Sequence, residues 1–91
     1  MTAERLHKLV GKRVRELRTA QKGLTQERLA NEAELHPVFL SRVERGMTAT
    51  TIDTIAIIGG ALGITLAEFF APFRQSLRLR GPRRVKRTRK V

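Results

Sequence analysis

The chain has 91 residues, a formal net charge of +11 and no cysteine. A chain of this length can form one small hydrophobic core. The lack of cysteine excludes disulfide bonds and thiolate metal sites. No apolar run approaches the roughly 20 residues of a membrane-spanning helix. The N-terminus lacks the apolar stretch of a signal peptide, so we expect an intracellular protein with no membrane partner.

The positive charge is concentrated at the C-terminus. Nine of the 19 Lys and Arg residues lie in residues 74–91, which contain no Asp or Glu, whereas residues 1–73 are nearly neutral. We therefore expect a folded domain, 1–73, and a basic arm, 74–91, that is disordered in isolation. The arm suits DNA phosphates; a tail that serves solubility alone and an anionic membrane surface are the alternatives. The candidate phosphate contacts of the arm are Arg83, Arg84, Lys86 and Arg87.

Apolar residues recur at helical spacing in five segments, and none alternates as a strand does, so we expect an all-α fold. Helix 1 is predicted from Ala3 to Ala20, and Gly23 follows as a helix breaker. Helix 2 is predicted to begin after Thr25, a favourable N-cap. The apolar sides of these two helices are formed by Leu6, Leu9, Val10, Val14 and Leu17, and by Leu29, Ala30 and Ala33.

Helix 3 is predicted from Pro37 to Arg45. Proline suits a first helical position because its φ is fixed and its missing N–H is not needed, and Gly46 supplies the left-handed residue that ends the helix. The side chains expected to be buried are Phe39, Leu40 and Val43. Only residues 34–36 separate helices 2 and 3, so residues 25–46 match the helix-turn-helix unit that places its second helix in a DNA major groove.

Helix 4 is predicted to begin after Thr51 and to end at Gly63. Helix 5 opens with a capping box formed by Thr65 and Glu68. We expect Ile52, Ile55, Ile58 and Leu62 to form the inner side of helix 4, and Leu66, Phe69, Phe70 and Phe73 to be the apolar residues of helix 5. The glycines of IIGGALG superficially resemble those of a dinucleotide-binding site, but the preceding strand and the G-x-G-x-x-G spacing are missing. We therefore expect Gly59 to allow close approach of a neighbouring helix backbone.

Four motifs occur in a fixed order: GKRVRELR, LTQERLA, LSRVERG and IxxIxxIGGALGITLAEFF. They resemble those of the Cro and lambda-repressor type, or Xre-like, helix-turn-helix proteins, and they extend over residues 11–70, about two thirds of the chain. The resemblance implies a five-helix lambda-repressor-like domain. It also implies dimeric, sequence-specific binding of double-stranded DNA, as in phage repressors, restriction–modification controllers and antitoxins.

The resemblance also assigns roles by position. Gln26 would contact a DNA phosphate, and Arg18 and Glu44 would form a buried structural ion pair. Base reading would fall to the outer face of helix 3, on Pro37, Val38, Ser41 and Arg42. Arg42 is the strongest candidate, because a guanidinium can bond to guanine O6 and N7 together, while Pro37 and Val38 can pack on a thymine methyl. Further contacts to the DNA backbone are expected from Thr25, His36, Arg45 and Thr48.

Three features depart from the family pattern. Glu34 occupies a turn position that is usually glycine, so a residue with a Cβ must adopt a left-handed or bridging conformation. Helix 3 begins with Pro37 and Val38 instead of polar residues. The loop at residues 47–51 offers hydroxyl groups to phosphates where relatives often offer positive charge. Together these three features weaken the electrostatic attraction expected between the folded domain and DNA, and we hypothesise that the basic arm compensates for this.

Surplus apolar residues in helices 4 and 5 predict a homodimer interface. A single short recognition helix reads too few bases for genomic specificity. We therefore expect two copies whose recognition helices lie about 34 Å apart. The residues predicted for the interface are Ile57, Ile64, Phe70 and Phe73.

The favoured function is that of a dimeric, sequence-specific repressor in the cytoplasm, associated with the nucleoid. One alternative is an antitoxin or another binder of a small protein partner that also binds its operator, and a second is a non-specific nucleic-acid-binding protein driven by the arm. The sequence contains no nucleophile–base pair that would indicate an enzyme, and we expect no cofactor. His7 and His36 are too far apart in sequence to suggest a metal site. With no sensor domain after helix 5, we expect no small-molecule effector.

Overall fold

The computed structural model describes residues 1–73, and every regular element within them is helical. The helices are α1 (Ala3–Thr19), α2 (Gln26–Glu32), α3 (Pro37–Glu44), α4 (Ile52–Leu62) and α5 (Leu66–Phe70), and a 3₁₀ turn (Ala71–Phe73) follows. The predicted all-α architecture of five helices is therefore confirmed. The basic arm lies outside the described residues, together with the four phosphate contacts proposed on it: Arg83, Arg84, Lys86 and Arg87.

Threonine residues fix where four of the five helices begin. The hydroxyl oxygens of Thr2, Thr25, Thr51 and Thr65 each accept the backbone N–H three residues further on. At α5 the cap is the predicted box, because the Glu68 carboxylate also accepts the Thr65 N–H at 2.9 Å. The start of α3 is different, since Nδ1 of His36 accepts the Val38 N–H at 3.1 Å. These caps satisfy backbone donors that have no partner within the helix.

One hydrophobic core joins all five helices. The side chains with no exposed surface are Val14, Leu29, Ala30, Leu40, Ile58 and Phe69. Phe69 contacts Phe70 and Phe73 edge to face, with ring centroids 5.0 and 6.4 Å away. Because α2 and α3 both contribute to this core, they are held in a fixed relation to the rest of the domain.

Two predictions about α4 are wrong. The sequence pattern places Ile52 on the inner side, yet this residue is 57% exposed, because it is the first residue of the helix and lies one turn before the buried Ile55. Gly59 does not admit a neighbouring helix either. A Cβ at Gly59 would lie 3.5 Å from the carbonyl oxygen of Ile64, which is an ordinary contact with the loop after the same helix.

The close contact between helices occurs at Gly11 of α1. A Cβ at this position would overlap the carbonyl oxygen of Val43 and lie 2.9 Å from that of Glu44, both in α3. The two helix backbones therefore touch near the end of α3. This crossing sets where α3 sits on α1.

Candidate nucleic-acid interface

The turn between α2 and α3 reverses the chain through Glu34, whose φ is +56°. The Leu35 N–H donates to the Ala30 carbonyl at 2.8 Å, and the Glu34 N–H donates to that of Asn31 at 3.2 Å. This is the Schellman arrangement, in which glycine usually takes the left-handed position. The left-handed conformation of Glu34 costs roughly 1 kcal/mol. The bonding geometry of the turn is thus retained despite the unusual residue.

The end of α3 has the same geometry with the usual residue. Gly46 has φ +70°, and the Met47 N–H donates to the Arg42 carbonyl at 2.9 Å. A Cβ on Gly46 would lie 2.8 Å from Cα of Lys8 in α1, so space as well as backbone conformation favours glycine here. Both ends of α3 are therefore fixed by local hydrogen bonds.

The outward face of α3 carries the residues predicted to read bases. Pro37, Val38 and Arg42 are exposed, and Ser41 is half-buried. The loop after α3 returns beside this face, and together they form a shallow depression of about 360 Å³ lined by His36, Val38, Phe39, Arg42 and Thr48. Sequence reasoning placed Phe39 in the core alone. It is half-buried and contributes to both, and the only sequence signal for this was its spacing of three residues from Arg42.

The donors on this face differ in what they are free to bind. Among the described residues, the Arg42 guanidinium makes no hydrogen bond or ion pair. Arg45 donates from Nε to the Ser41 carbonyl at 3.3 Å. Nδ1 of His36 acts as an acceptor in the cap, so the neutral ring carries its proton on Nε2. Arg42 therefore has the full donor set of a guanidinium available to a ligand.

The hydroxyl groups predicted for the DNA backbone are arranged in two ways. Thr25 accepts the Arg28 N–H at 3.1 Å, so its own O–H is still able to donate. Thr48 donates to the Ala49 carbonyl at 3.3 Å. The hydroxyl proton of Thr48 must leave this bond before it reaches a phosphate, so Thr25 is the better placed donor of the two.

A buried cluster lies behind α3. Arg18 donates from Nε to Oε2 of Glu44 at 2.7 Å and from Nη2 to Oε1 at 3.0 Å, while the Glu44 side chain is only 2% exposed. Gln26 donates from Nε2 to the same Oε1 at 2.9 Å. The structure thus brings Arg18 and Glu44 together. It adds Gln26 to them, although sequence reasoning assigned Gln26 only to a DNA phosphate.

The residues predicted for a dimer interface differ in exposure. Ile57 is 49% exposed, whereas Ile64 and Phe70 are half-buried. Phe73 is only 7% exposed and packs against Phe69, so its assignment to the interface is corrected to the core of the domain. Leu66 is 38% exposed on α5, and sequence reasoning had not singled it out as a surface residue.

An apolar groove lies between the start of α1 and the start of α4. It has a volume of about 310 Å³ and is lined by Leu6, His7, Val10, Thr50, Ile52, Ile55 and Phe70. The exposed Ile52 lies on the wall of this groove. Nothing in residues 1–73 covers it.

Neither a metal cluster nor a membrane span is formed by the part of the chain that the structure describes. Residues 1–73 contain no group of three or more His, Cys, Asp or Glu side chains placed to hold a metal ion. No single helix in the same range has the length and apolar composition needed to cross a membrane. Residues 52–73 meet that requirement only as two helical segments bent by 101°.

The fold and the exposed face of α3 define a helix-turn-helix DNA-binding protein. Comparison with known proteins gives the family, because the helix-turn-helix family model matches residues 14–69. The chain belongs to the Xre/Cro-like helix-turn-helix family, and it is a DNA-binding transcriptional regulator. The resemblance found in the sequence is thereby confirmed.

Several relatives support this assignment. The chain is 39% identical over 56 residues to control protein C.BamHI of Bacillus amyloliquefaciens, a match that covers 62% of this chain and 69% of that protein. It is 36% identical over 67 residues to an HTH-type transcriptional regulator of Sinorhizobium fredii, covering 74% and 86%. The crystal structure of the clp gene regulator ClgR from C. glutamicum matches with a TM-score of 0.68 and 30% identity, covering 72% of this chain and 83% of that one.

Proposed function

We propose that the chain is a homodimeric repressor that inserts α3 into the major groove of a palindromic operator. Repression follows if the dimer occupies a promoter and blocks transcription. Its relatives are regulators and control proteins, and we place it among them as a non-enzymatic protein of the cytoplasm, where it meets chromosomal DNA.

The exposure of Arg42 and its free hydrogen-bond donors are the main support for this proposal. Its side chain is exposed on the outward face of α3, makes no hydrogen bond within residues 1–73, and lies in one depression with the apolar Val38. A guanidinium beside an apolar surface suits a guanine next to a thymine, since the first offers two acceptors and the second a methyl group. We propose Pro37 and Ser41 as the flanking contacts.

Contacts to the DNA backbone would hold α3 in register. We propose Thr25, Gln26, His36, Arg45 and Thr48 for this role. His36 and Arg45 flank α3 in sequence. Gln26 donates to Glu44, the last residue of α3, and Thr48 lines the depression beside this helix. Thr25 directly precedes Gln26 at the start of α2. Contacts of this kind position a protein on DNA and carry no sequence information themselves.

The dimer is supported by exposed apolar surface on α4 and α5. Ile57 and Leu66 leave 49% and 38% of their surface to solvent. Ile64 and Phe70 lie half-buried in the same C-terminal part of the domain. We propose these four residues as the centre of the interface, which would place two copies of α3 in successive major grooves, about 34 Å apart.

Selection of bound sequences from a random DNA pool tests the proposal directly. The expected result is a palindrome with a guanine in each half-site and half-site centres about 10 base pairs apart. Binding that ignores sequence and collapses with added salt would instead show a non-specific nucleic-acid binder. Stable co-purification of a second small protein from the native operon would favour the antitoxin alternative.

A further inference from the structure

The hydrogen bond between Gln26 and Glu44 links the buried ion pair to the DNA interface. We propose that Glu44, neutralised by Arg18, is a positioning residue for DNA binding, which holds the Gln26 amide in the orientation that donates to a DNA phosphate. This inference rests on the proposed function and adds a residue that does not itself touch DNA.

The Glu44 carboxylate accepts three N–H groups. Arg18 supplies two of them, at 2.7 and 3.0 Å, and Gln26 supplies the third, at 2.9 Å. Because the Glu44 side chain is 2% exposed, water has little access to this carboxylate. Its position is therefore set by protein donors, and the position of the Gln26 amide is set in turn by the carboxylate.

The Glu44 carboxylate determines which way the Gln26 amide faces. An ionised carboxylate only accepts hydrogen bonds, so Nε2 of Gln26, and not Oε1, must face Glu44. The amide nitrogen has a second N–H, directed about 120° from the first, which has no partner among the described residues. Gln26 is half-buried, so part of its surface is open to solvent, and we propose that this second N–H is the group that meets the phosphate.

Arg18 makes the arrangement compatible with a phosphate. A lone carboxylate behind Gln26 would repel a phosphate, but the guanidinium that contacts Glu44 cancels its charge. Arg18 also donates from Nη1 to the Leu24 carbonyl at 3.0 Å, which ties the segment before α2 to the same group. One guanidinium thus orders the end of α3 and the start of α2 together.

A double-mutant cycle on the selected operator tests the proposal. The variants are Gln26→Ala, Glu44→Gln and both together, and affinity is measured by fluorescence anisotropy. We expect each single substitution to weaken binding about tenfold, which is the loss of one hydrogen bond to a charged group. We expect the double variant to bind no worse than Gln26→Ala, because Glu44 acts through Gln26. Additive losses would overturn the proposal.

Arg13→Gln is the control for a purely structural effect. Arg13 donates to the Glu68 and Phe69 carbonyls at 2.8 Å each, and these bonds tie α1 to α5. Removing them should lower stability, and any loss of affinity should add to that of Gln26→Ala. Urea unfolding of every variant gives the conditions under which each is folded, and affinity is compared only there.

The unaltered protein provides a second readout that does not depend on the folding of Glu44→Gln. The two side-chain N–H resonances of Gln26 should differ, and saturation with operator should shift the one that does not face Glu44. Unchanged Gln26 resonances would overturn the proposal. Suppose that the protein selects an operator and that Arg42→Ala no longer binds it, but that the losses from Gln26→Ala and Glu44→Gln are additive. The role of Glu44 is then wrong and the proposed function stands. If no operator is selected, the proposed function fails with it.

Discussion

Gly11 and Glu34 are two residues in demanding backbone environments, Gly11 because of limited space and Glu34 because of its left-handed φ. Gly11 admits the carbonyl oxygens of α3 where a Cβ has no room. Glu34 holds a left-handed φ of +56° that glycine would adopt without strain. The first residue is adapted to its position and the second is not, so substitutions at the two should move stability in opposite directions.

We expect Gly11→Ala to lower the free energy of unfolding by about 2 kcal/mol or more, because the added methyl group forces α1 and α3 apart. Urea unfolding followed by circular dichroism measures this. Gly60→Ala is the matched control, since Gly60 also lies inside a helix but nothing lies within 4 Å of an added Cβ. That control should gain about 1 kcal/mol from helix propensity. A Gly11→Ala protein as stable as its parent would contradict the close crossing.

Glu34→Gly should raise the free energy of unfolding by about 0.5 kcal/mol. The relief of left-handed strain is worth roughly 1 kcal/mol, and the greater freedom of glycine in the unfolded chain takes back part of it. Glu34→Ala removes the same carboxylate but keeps the Cβ, so it should give no gain. Equal effects of the two substitutions would show that charge, and not backbone conformation, governs this position.

Among the helices, ends follow from local sequence and contacts between helices do not. Thr25, Thr51 and Thr65 predicted three helix starts, since a cap is decided by a few neighbouring residues. Ile52 and Gly59 gave wrong predictions, because their surroundings depend on where other helices lie in space. The contacts at Gly11 and the bond from Gln26 to Glu44 have the same origin, and no spacing in the sequence encodes them.

The ion pair between Arg18 and Glu44 joins α1 to α3. Arg18→Met should destabilise the protein by about 3 kcal/mol, because it leaves the Glu44 carboxylate buried without its cation. Adding Glu44→Leu to the same protein should recover much of that loss, since an apolar pair of similar volume has no charge to desolvate. Thermal and urea unfolding of the single and double variants measure both effects. A double variant less stable than Arg18→Met would show that the unpaired Glu44 carboxylate is not the cause of the loss.

For the whole molecule, assembly and charge matter more than any single contact. The described domain is nearly neutral, and much of the positive charge of the chain lies in residues 74–91. The exposed apolar residues of α4 and α5 are the surface on which we propose that two copies meet. These two features can be tested separately, since one concerns association of the protein and the other its attraction to DNA.

Ile57→Lys should shift the dimer towards monomer, because it places a charge in the proposed apolar interface. Its 49% exposure means that the substitution leaves the core intact. Sedimentation equilibrium at micromolar concentration measures the mass. Met47→Lys, at a residue that is 65% exposed on the loop after α3, adds the same charge and should leave the mass unchanged. A parent protein that is monomeric under these conditions would contradict the proposed dimer.

Removal of residues 74–91 should weaken operator binding at least tenfold and make its salt dependence shallower. The slope of log K against log salt should fall by about 0.9 for every phosphate that the shortened protein no longer neutralises. Titrations at several salt concentrations, with the full chain alongside, give both quantities. An unchanged affinity and slope would show that the arm does not compensate for the uncharged loop at residues 47–51.

The reading of bases by Arg42 is tested most directly by changing the protein and the DNA together. Arg42→Ala should weaken binding to the selected operator about 10- to 100-fold. Lys12→Ala, an exposed cation on the side of α1 opposite Val10 and Val14, is the charge-matched control and should change affinity little. Replacing the half-site guanine with 7-deazaguanine, which lacks N7, should weaken the parent and leave Arg42→Ala unaffected. Equal weakening of both proteins, or an Arg42→Ala protein that binds as tightly as its parent, would show that Arg42 does not read this guanine.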